Sequence, residues 1–276
     1  MNNNIPFDDP LPEIKLAMKA AIEAGKAIMA VYEREFSSTI KNDNEPITEA
    51  DIKSNNIIQK IISNFGYPIL SEENTDDKKR LNFQKIWIVD PLDGTTDFIK
   101  KTGEFTIMIS LLDRKKPILG IIYWPTENKL FLAQKEKGAY KLDNNTWSKL
   151  SVSDISNLSQ CRIVGSRYHI SDNEQKLLKN LNVFKFTSKG SSLKVTDISS
   201  GYAELYFTTT NKIKQWDTCA SYCLINEAGG KMTDMFGNDL EYNTEKLNHE
   251  NGLLVSNGLI HEKIIKIYSE FLKGKP

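Results

Sequence analysis

The sequence is poor in cysteine and has no long apolar run. Cys161, Cys219 and Cys223 are its three thiols among 276 residues. An odd, sparse set argues against a disulfide framework and for a reducing compartment. Cys219 and Cys223 would sit one turn apart on a helix, a spacing that core packing explains better than a metal site. No apolar stretch approaches membrane-spanning length. Met1 to Pro6 has neither the basic nor the apolar segment of a secretory leader. An excess of one charge is missing too, since 36 basic residues face 36 acidic ones. That excludes an overall basic field for nucleic acid polymers, and leaves room for a small anion at a local site. The expected location is cytoplasmic, with peripheral attachment to the cytoplasmic face of the inner membrane left open.

The length suits one large domain or two ordinary ones. Helical spacing runs from Asp9-Pro10, a capped start, to about Phe36. A polar loop, Ser37 to Pro46, follows. Thr48 opens a second helix with Asp51 three residues on, the pattern of a capping box. Ile52, Ile58, Ile61, Ile62 and Phe65 form its expected apolar face, and Gly66 ends it. Pro68 to Leu70 reads as a strand that stops at Ser71-Glu72-Glu73. Phe105–Leu112, Ile118–Trp124, Lys129–Ala133 and Ala139–Leu142 read as an antiparallel meander. The polar run Ser148–Leu158 is a candidate boundary. Beyond it, strands at Arg162–Gly165, Val183–Phe186, Glu204–Thr208, Lys231–Thr233 and Leu253–Ser256 alternate with helices, as in an α/β layer. The expected division is an N-terminal α+β unit, 1–150, and a C-terminal α/β unit, 151–276.

One stretch stands out. Ile86 to Val89 reads as a short buried strand ending in Asp90. Pro91 cannot donate to a ladder, so a turn is expected there. Asp93, Gly94 and Thr95 follow. Two hard oxygen ligands beside a helix start suit a divalent cation and a phosphate. An Asx turn with a capped helix explains the same residues without chemistry. Phosphatases that form an aspartyl intermediate use Asp-x-Asp-Gly-Thr. Here two residues separate the aspartates and Pro91 stands where that nucleophile would be, so metal-activated water is the better reading. Glu72 past a strand, Asp51 in a first helical turn and Asp217 after Trp216 occupy similar places, though each alone serves equally as a cap or a solvated charge.

Taken together, Glu72-Glu73, Asp90 to Thr96, Trp216-Asp217 and Glu227 to Gly230 resemble the signatures of the inositol monophosphatase superfamily. With Ser166-Arg167-Tyr168-His169 and Gly190-Ser191-Ser192-Leu193-Lys194, the chain is most similar to its 3′(2′),5′-bisphosphate nucleotidases of the CysQ type. The resemblance implies an α+β fold, a layered α-β-α-β-α sandwich, and a lithium-sensitive hydrolase of sulfur metabolism. It implies two or three Mg²⁺ ions on Glu72, Asp90, Asp93, Asp217 and the Leu92 carbonyl. Asp51 and Thr95 match the catalytic pair that orients and deprotonates water. Glu72, Asp93, Gly94, Thr95, Ser191 and Asp217 match substrate contacts, Gly94 because a side chain there would obstruct the phosphate. Arg167, Lys194 and His169 are the candidates for a second phosphate.

The implied reaction is hydrolysis of adenosine 3′,5′-bisphosphate to AMP and phosphate. Residues 208–215, Thr208 to Gln215, carry no carboxylate of the kind that inositol-specific relatives place before Trp-Asp. The chain departs from the nucleotidases in Asn211 to Lys214, in Thr218 to Ser221 and at Thr96, which bears on base binding and leaves the metal ligands untouched. An inositol or sugar phosphatase is the alternative enzyme. A non-catalytic nucleotide sensor is the rival of another class, disfavoured by the complete acidic set. A homodimer is left open, as dimers are common in the superfamily.

Overall fold

The computed structural model describes residues 5–41, 45–168, 170–181 and 183–274. His169 falls outside them. In chain order the elements are α1 (Ile14–Tyr32), β1 (Ser38–Ile40), β2 (Pro46–Thr48), α2 (Glu49–Ile62), β3 (Ile69–Ser71), β4 (Lys85–Asp93) and α3 (Thr95–Ile99). Then come β5 (Thr106–Asp113), β6 (Lys116–Trp124), β7 (Lys129–Gln134), β8 (Gly138–Asp143), β9 (Thr146–Lys149), β10 (Arg162–Gly165), α4 (Asp172–Leu181), β11 (Lys185–Ser188) and α5 (Leu193–Ser199). The chain closes with β12 (Leu205–Thr208), α6 (Gln215–Glu227), β13 (Lys231–Thr233), β14 (Leu253–Ser256) and α7 (His261–Lys273).

Two sheets organise these elements. β3 to β9 form a seven-stranded sheet in sequence order, with only β3 and β4 parallel. The second sheet runs β11-β10-β12-β14-β13, parallel at one end and antiparallel at the other. Alternation along the strands places the layers. Trp87 and Val89 of β4 pack with Ile14, Ile28, Ile58 and Ile62 of α1 and α2. Ile86 and Ile88 face the other way, into a core shared with Val195 and Ile198 of α5 and with Trp216 and Cys219 of α6. In the second sheet, Val164, Tyr206 and Val255 join that same core. Ile163, Leu205 and Leu254 face outward onto α4 and α7. The result is the α-β-α-β-α sandwich, with α5 and α6 between the sheets. No helix among the described residues is long and apolar enough to cross a membrane.

Several local expectations change. α1 starts at Ile14 after an uncapped Glu13 and ends at Tyr32, so Asp9-Pro10 is not its cap. The expected Ser37–Pro46 loop contains β1 and reaches into β2, which pair as a hairpin. Ile52 is exposed, while Ile58 and Ile62 are buried. β9 lies where the polar boundary was expected to begin and was missed because its residues are mostly solvent-facing. β11 starts two residues later than its apolar letters suggest, since it is an exposed edge strand.

Gly120 shows how closely α6 lies on the first sheet. A Cβ built there would stand 2.5 Å from the Ala220 carbonyl oxygen and 3.0 Å from Cys223 Cβ. Backbone cannot swing aside, so Gly120→Ala should destabilise the protein by about 1–3 kcal/mol, read as a lower urea midpoint at unchanged m-value.

Candidate active site

The site begins with a fault in the β4 ladder. Pro91 does not turn the chain. β4 continues to Asp93, and its pairing with β5 steps from Asp90↔Met108 to Asp93↔Thr106. Two residues of β4 thus oppose one of β5, a bulge that accommodates the missing proline N–H. In a regular strand residues three apart face opposite ways. The bulge cancels that, so Asp90 and Asp93 lie on the same face as Met108 and Thr106, toward α6. The Leu92 N–H donates to Asp90 Oδ1 at 3.0 Å, and Ser54 Oγ donates to the Pro91 carbonyl at 2.6 Å, fixing the bulge from both sides. Gly94 follows at φ 94°, a conformation that strains any side chain. A Cβ there would also stand 3.2 Å from Ser191 Cβ and the Glu104 carbonyl, which adds a local reason for glycine.

Asp51 is the third residue of α2 and completes a capping box. Its Oδ2 accepts from Thr48 N at 2.8 Å and Thr48 Oγ1 at 2.6 Å. Oδ1 is left to accept from Thr95 Oγ1 at 3.1 Å. Thr95 Oγ1 also lies 3.3 Å from the Leu92 carbonyl. Burial raises the Asp51 carboxyl above its ordinary value, against the lowering effect of the Thr48 bonds.

Glu72 directly follows β3. Lys41, beside β1, donates to Glu72 Oε1 at 3.0 Å and to Glu73 Oε1 at 2.6 Å. Burial pushes the Glu72 carboxyl up to about 7, with Lys41 opposing and Glu73 adding to it. Asp217 is the third residue of α6, and its Oδ2 accepts from the Lys214 N–H at 2.7 Å. A bridge between Lys214 and Asn248 braces that turn. Asp93 Oδ2 accepts from the Ser192 N–H of the other half and from Thr106 Oγ1 at 3.3 Å.

Burial raises all four carboxyls, and in Asp90 and Asp217 neighbouring carboxylates add to it. Asp90 is raised well above its ordinary value by burial first, then by Glu72, Asp93 and Asp217. Asp217 is raised likewise by burial, then by Glu72 and Asp93. Yet among the described residues no three His, Cys, Asp or Glu side chains stand close enough to hold a metal ion as they are placed. Each accepts a hydrogen bond from a protein donor on one oxygen: Glu72 from Lys41, Asp90 from Leu92, Asp93 from Ser192, Asp217 from Lys214. The donor chemistry nonetheless fits a divalent cation. Crowded, desolvated carboxylate oxygens are hard ligands that a cation would relieve.

The expected basic residues fare differently. Lys194 is buried, and its Nζ donates to the Ser191 carbonyl at 2.6 Å. Burial lowers its pKa, while Asp93, Asp97, Glu104 and Asp217 pull the other way. Arg167 is held by two carboxylates, Asp97 and Glu104, at 2.7 Å each. Ser191 sits at φ 49° on the loop before α5. Sequence reasoning assigned no role to Lys41, Ser192, Asp97 or Glu104. Lys41 lies in a polar loop with no pattern, and the other three matter only through contacts between distant segments.

Sandwich and carboxylate set together fit one class, the layered phosphate-ester hydrolases. The chain belongs to the inositol monophosphatase family, whose model matches residues 9–272. It is therefore a phosphatase. Among relatives, the 3′(2′),5′-bisphosphate nucleotidase CysQ of Escherichia coli strain K12 is 38% identical over 229 residues, 80% of this chain and 90% of the relative. The structure of CysQ from Bacteroides thetaiotaomicron, at 31% identity, superposes with a TM-score of 0.76 over 88% of this chain and 96% of that one. The Thermotoga maritima IMPase shares the fold at 24% identity, with a TM-score of 0.82 over 95% and 99% of the chains.

A carboxyl whose folded pKa lies above its unfolded value binds protons more tightly when folded, so it favours the fold as pH falls from its folded to its unfolded pKa. With Glu72 raised to about 7 from 4.5, the metal-free protein should gain stability from this group as pH drops from about 7 toward 4.5. His249 and His261, held down to about 4 chiefly by burial, act in the opposite sense below 6.5. Comparing Tm against pH in wild type and Glu72→Gln, both in EDTA, isolates the carboxyl. Glu72→Gln should be the more stable at pH 7.5, with the gap closing toward pH 5.

Proposed function

We propose that this chain is a Mg²⁺-dependent phosphomonoesterase that hydrolyses adenosine 3′,5′-bisphosphate to AMP and phosphate. The observation that carries the reaction type is the Thr95–Asp51 hydrogen bond, with four buried carboxylates on nearby element ends, two of them raised further by the charge of the others. Glu72, Asp90, Asp93, Asp217 and the Leu92 carbonyl would hold the ions once their side chains turn from their present donors. Bound there, a divalent cation supplies positive charge opposite the phosphoryl group and acidifies water.

The protein's own groups do the rest. Thr95 Oγ1 gives its hydrogen to Asp51 Oδ1, which leaves the hydroxyl's lone pairs to accept from an attacking water. Asp51 receives the proton by way of Thr95. Its other oxygen is already loaded by Thr48, so Oδ1 alone has that capacity. The raised carboxyl makes a stronger base than an exposed aspartate. Gly94 keeps the chain free of a side chain beside the reacting group. Attack is in line and no phospho-enzyme forms.

The substrate reading rests on the names of the similar nucleotidases, on the absence of a carboxylate in residues 208–215, and on Lys194. Ser191, on the loop before α5, and Lys194, in the first turn of α5, stand near Asp93, where a second phosphate of a nucleotide would find a buried cation. The two halves, 1–150 and 151–276, each bring part of the site, with Asp217 and Lys194 from the second.

Phosphate release measures both parts of the reading. With Mg²⁺, adenosine 3′,5′-bisphosphate should be turned over faster than inositol 1-phosphate; the reverse order overturns the substrate. Asp90→Asn should lower kcat by about a thousandfold or more, several kcal/mol of barrier. Thr95→Val, which keeps the shape and loses the hydroxyl, should lower it by about a hundredfold or more. Full activity in either variant would refute the mechanism.

A further inference from the structure

We propose that Arg167 is a positioning residue: clamped between Asp97 and Glu104, it fixes the Lys189–Ser192 loop against Asp93 and so sets a metal-site carboxylate, leaving the substrate's second phosphate to Lys194. The inference rests on the reading of the site given above and assigns a different task to an arginine that sequence alone offers to the substrate.

The guanidinium is already engaged on both arms. Nη1 donates to Asp97 Oδ1 and Nη2 to Glu104 Oε2, each at 2.7 Å. Charge-assisted bonds of that length, to a buried and a partly buried carboxylate, are strong and oriented. Two of its five N–H donors are thereby committed to protein carboxylates, in the planar fork geometry that suits such a clamp. The same two carboxylates carry other bonds. Asp97 Oδ1 also accepts from Thr102 Oγ1 at 2.8 Å, and Glu104 Oε2 also accepts from the Gly190 N–H at 2.7 Å. Glu104 Oε2 is thus the shared seat of Arg167 and the loop. Removing the guanidinium would leave two acidic groups together with one cationic partner fewer.

The loop sits hard against this pair. A Cβ on Gly190 would come 2.5 Å from Asp97 Oδ2 and 2.6 Å from the Glu104 carbonyl. Ser191 follows with φ 49°, a region that non-glycine residues adopt only when held. Its upstream anchor is Lys189, whose Nζ donates to both oxygens of Asp197 at 2.9 and 2.8 Å. Its downstream end is Ser192. The Ser192 N–H bonds Asp93 Oδ2, and its Oγ lies 2.7 Å from Thr106 Oγ1, which also reaches Asp93. The path from Arg167 to the metal site is therefore a chain of direct contacts: Arg167, Glu104, Gly190, then along the backbone to Ser192, then Asp93. Asp97, Glu104 and Asp93 come from the first half, Arg167 and the loop from the second.

The test measures Mg²⁺ binding by calorimetry without substrate, beside kcat and KM for adenosine 3′,5′-bisphosphate and for adenosine 3′-monophosphate, which lacks the 5′-phosphate. Arg167→Ala should weaken Mg²⁺ binding about tenfold, as loss of a group that orients a ligand does. It should lower kcat for both nucleotides by the same factor and leave the ratio of their KM values unchanged. Arg167→Lys, a point charge that cannot bridge both carboxylates, should restore part of the loss. Gly190→Ala keeps every charge and should reproduce the Arg167→Ala pattern. It decides the matter if Arg167→Ala does not fold. Wild-type Mg²⁺ affinity in Arg167→Ala, with loss confined to the KM of the bisphosphate, would make Arg167 a substrate ligand and overturn the proposal. Wild-type Mg²⁺ affinity in Gly190→Ala would overturn it as well. A wild-type protein that binds no Mg²⁺ and releases no phosphate from either nucleotide would instead refute the proposed function, and this inference with it.

Discussion

The structure depends on keeping like charges together. Glu72, Asp90, Asp93 and Asp217 come from the end of β3, from β4 and from α6; burial raises all four, and the charges of the others add to the rise at Asp90 and Asp217. Burial and repulsion both work against such a set. The fold opposes them with fixed donors. Three are main-chain N–H groups, of Leu92, Ser192 and Lys214, and the fourth is the Lys41 ammonium. Each donor is itself positioned by an element end: a bulge, the loop before α5, the start of α6, the end of β1. The cluster therefore constrains where strands stop and helices begin across most of the chain. It also explains a side-chain set that suits a cation chemically yet is not gathered around one point.

Legibility in the sequence followed how local each feature is. The capping box of Thr48 and Asp51 spans three residues and was readable as letters. So was the meander, where apolar runs are separated by short turn-like joints. The layered order was implied by resemblance, and the alternating burial of Trp87, Ile88 and Val89 gives its physical basis. What failed depends on tertiary context. Ile52 is apolar but exposed, because six residues separate it from Ile58 and the helical period carries it off the buried face. Pro91 looked like a turn, because a sequence shows the missing donor but not the partner strand that absorbs it.

The candidate site divides the same way. Its acidic members share a local signature, a carboxylate at a strand end or helix start, and the resemblance joined them. Arg167 was visible as a basic residue, while its partners Asp97 and Glu104 lie 70 and 63 positions away. No spacing rule connects them. The resemblance offered Arg167 to a second phosphate, and the folded chain adds two ion pairs, to Asp97 and Glu104.

The bulge at Pro91 has a consequence for spacing. Side-chain direction along a strand is a matter of parity, and aspartates separated by one residue share a face with no irregularity at all. Aspartates separated by two reach the same face only by slipping the ladder one step. Asp90 and Asp93 take the second route, and Pro91, which has no hydrogen to return to the ladder, acts as a ratchet that stops the strand from slipping back. The motif is thus a frame-sensitive device, in which the count of residues between the acids carries information that their identities do not.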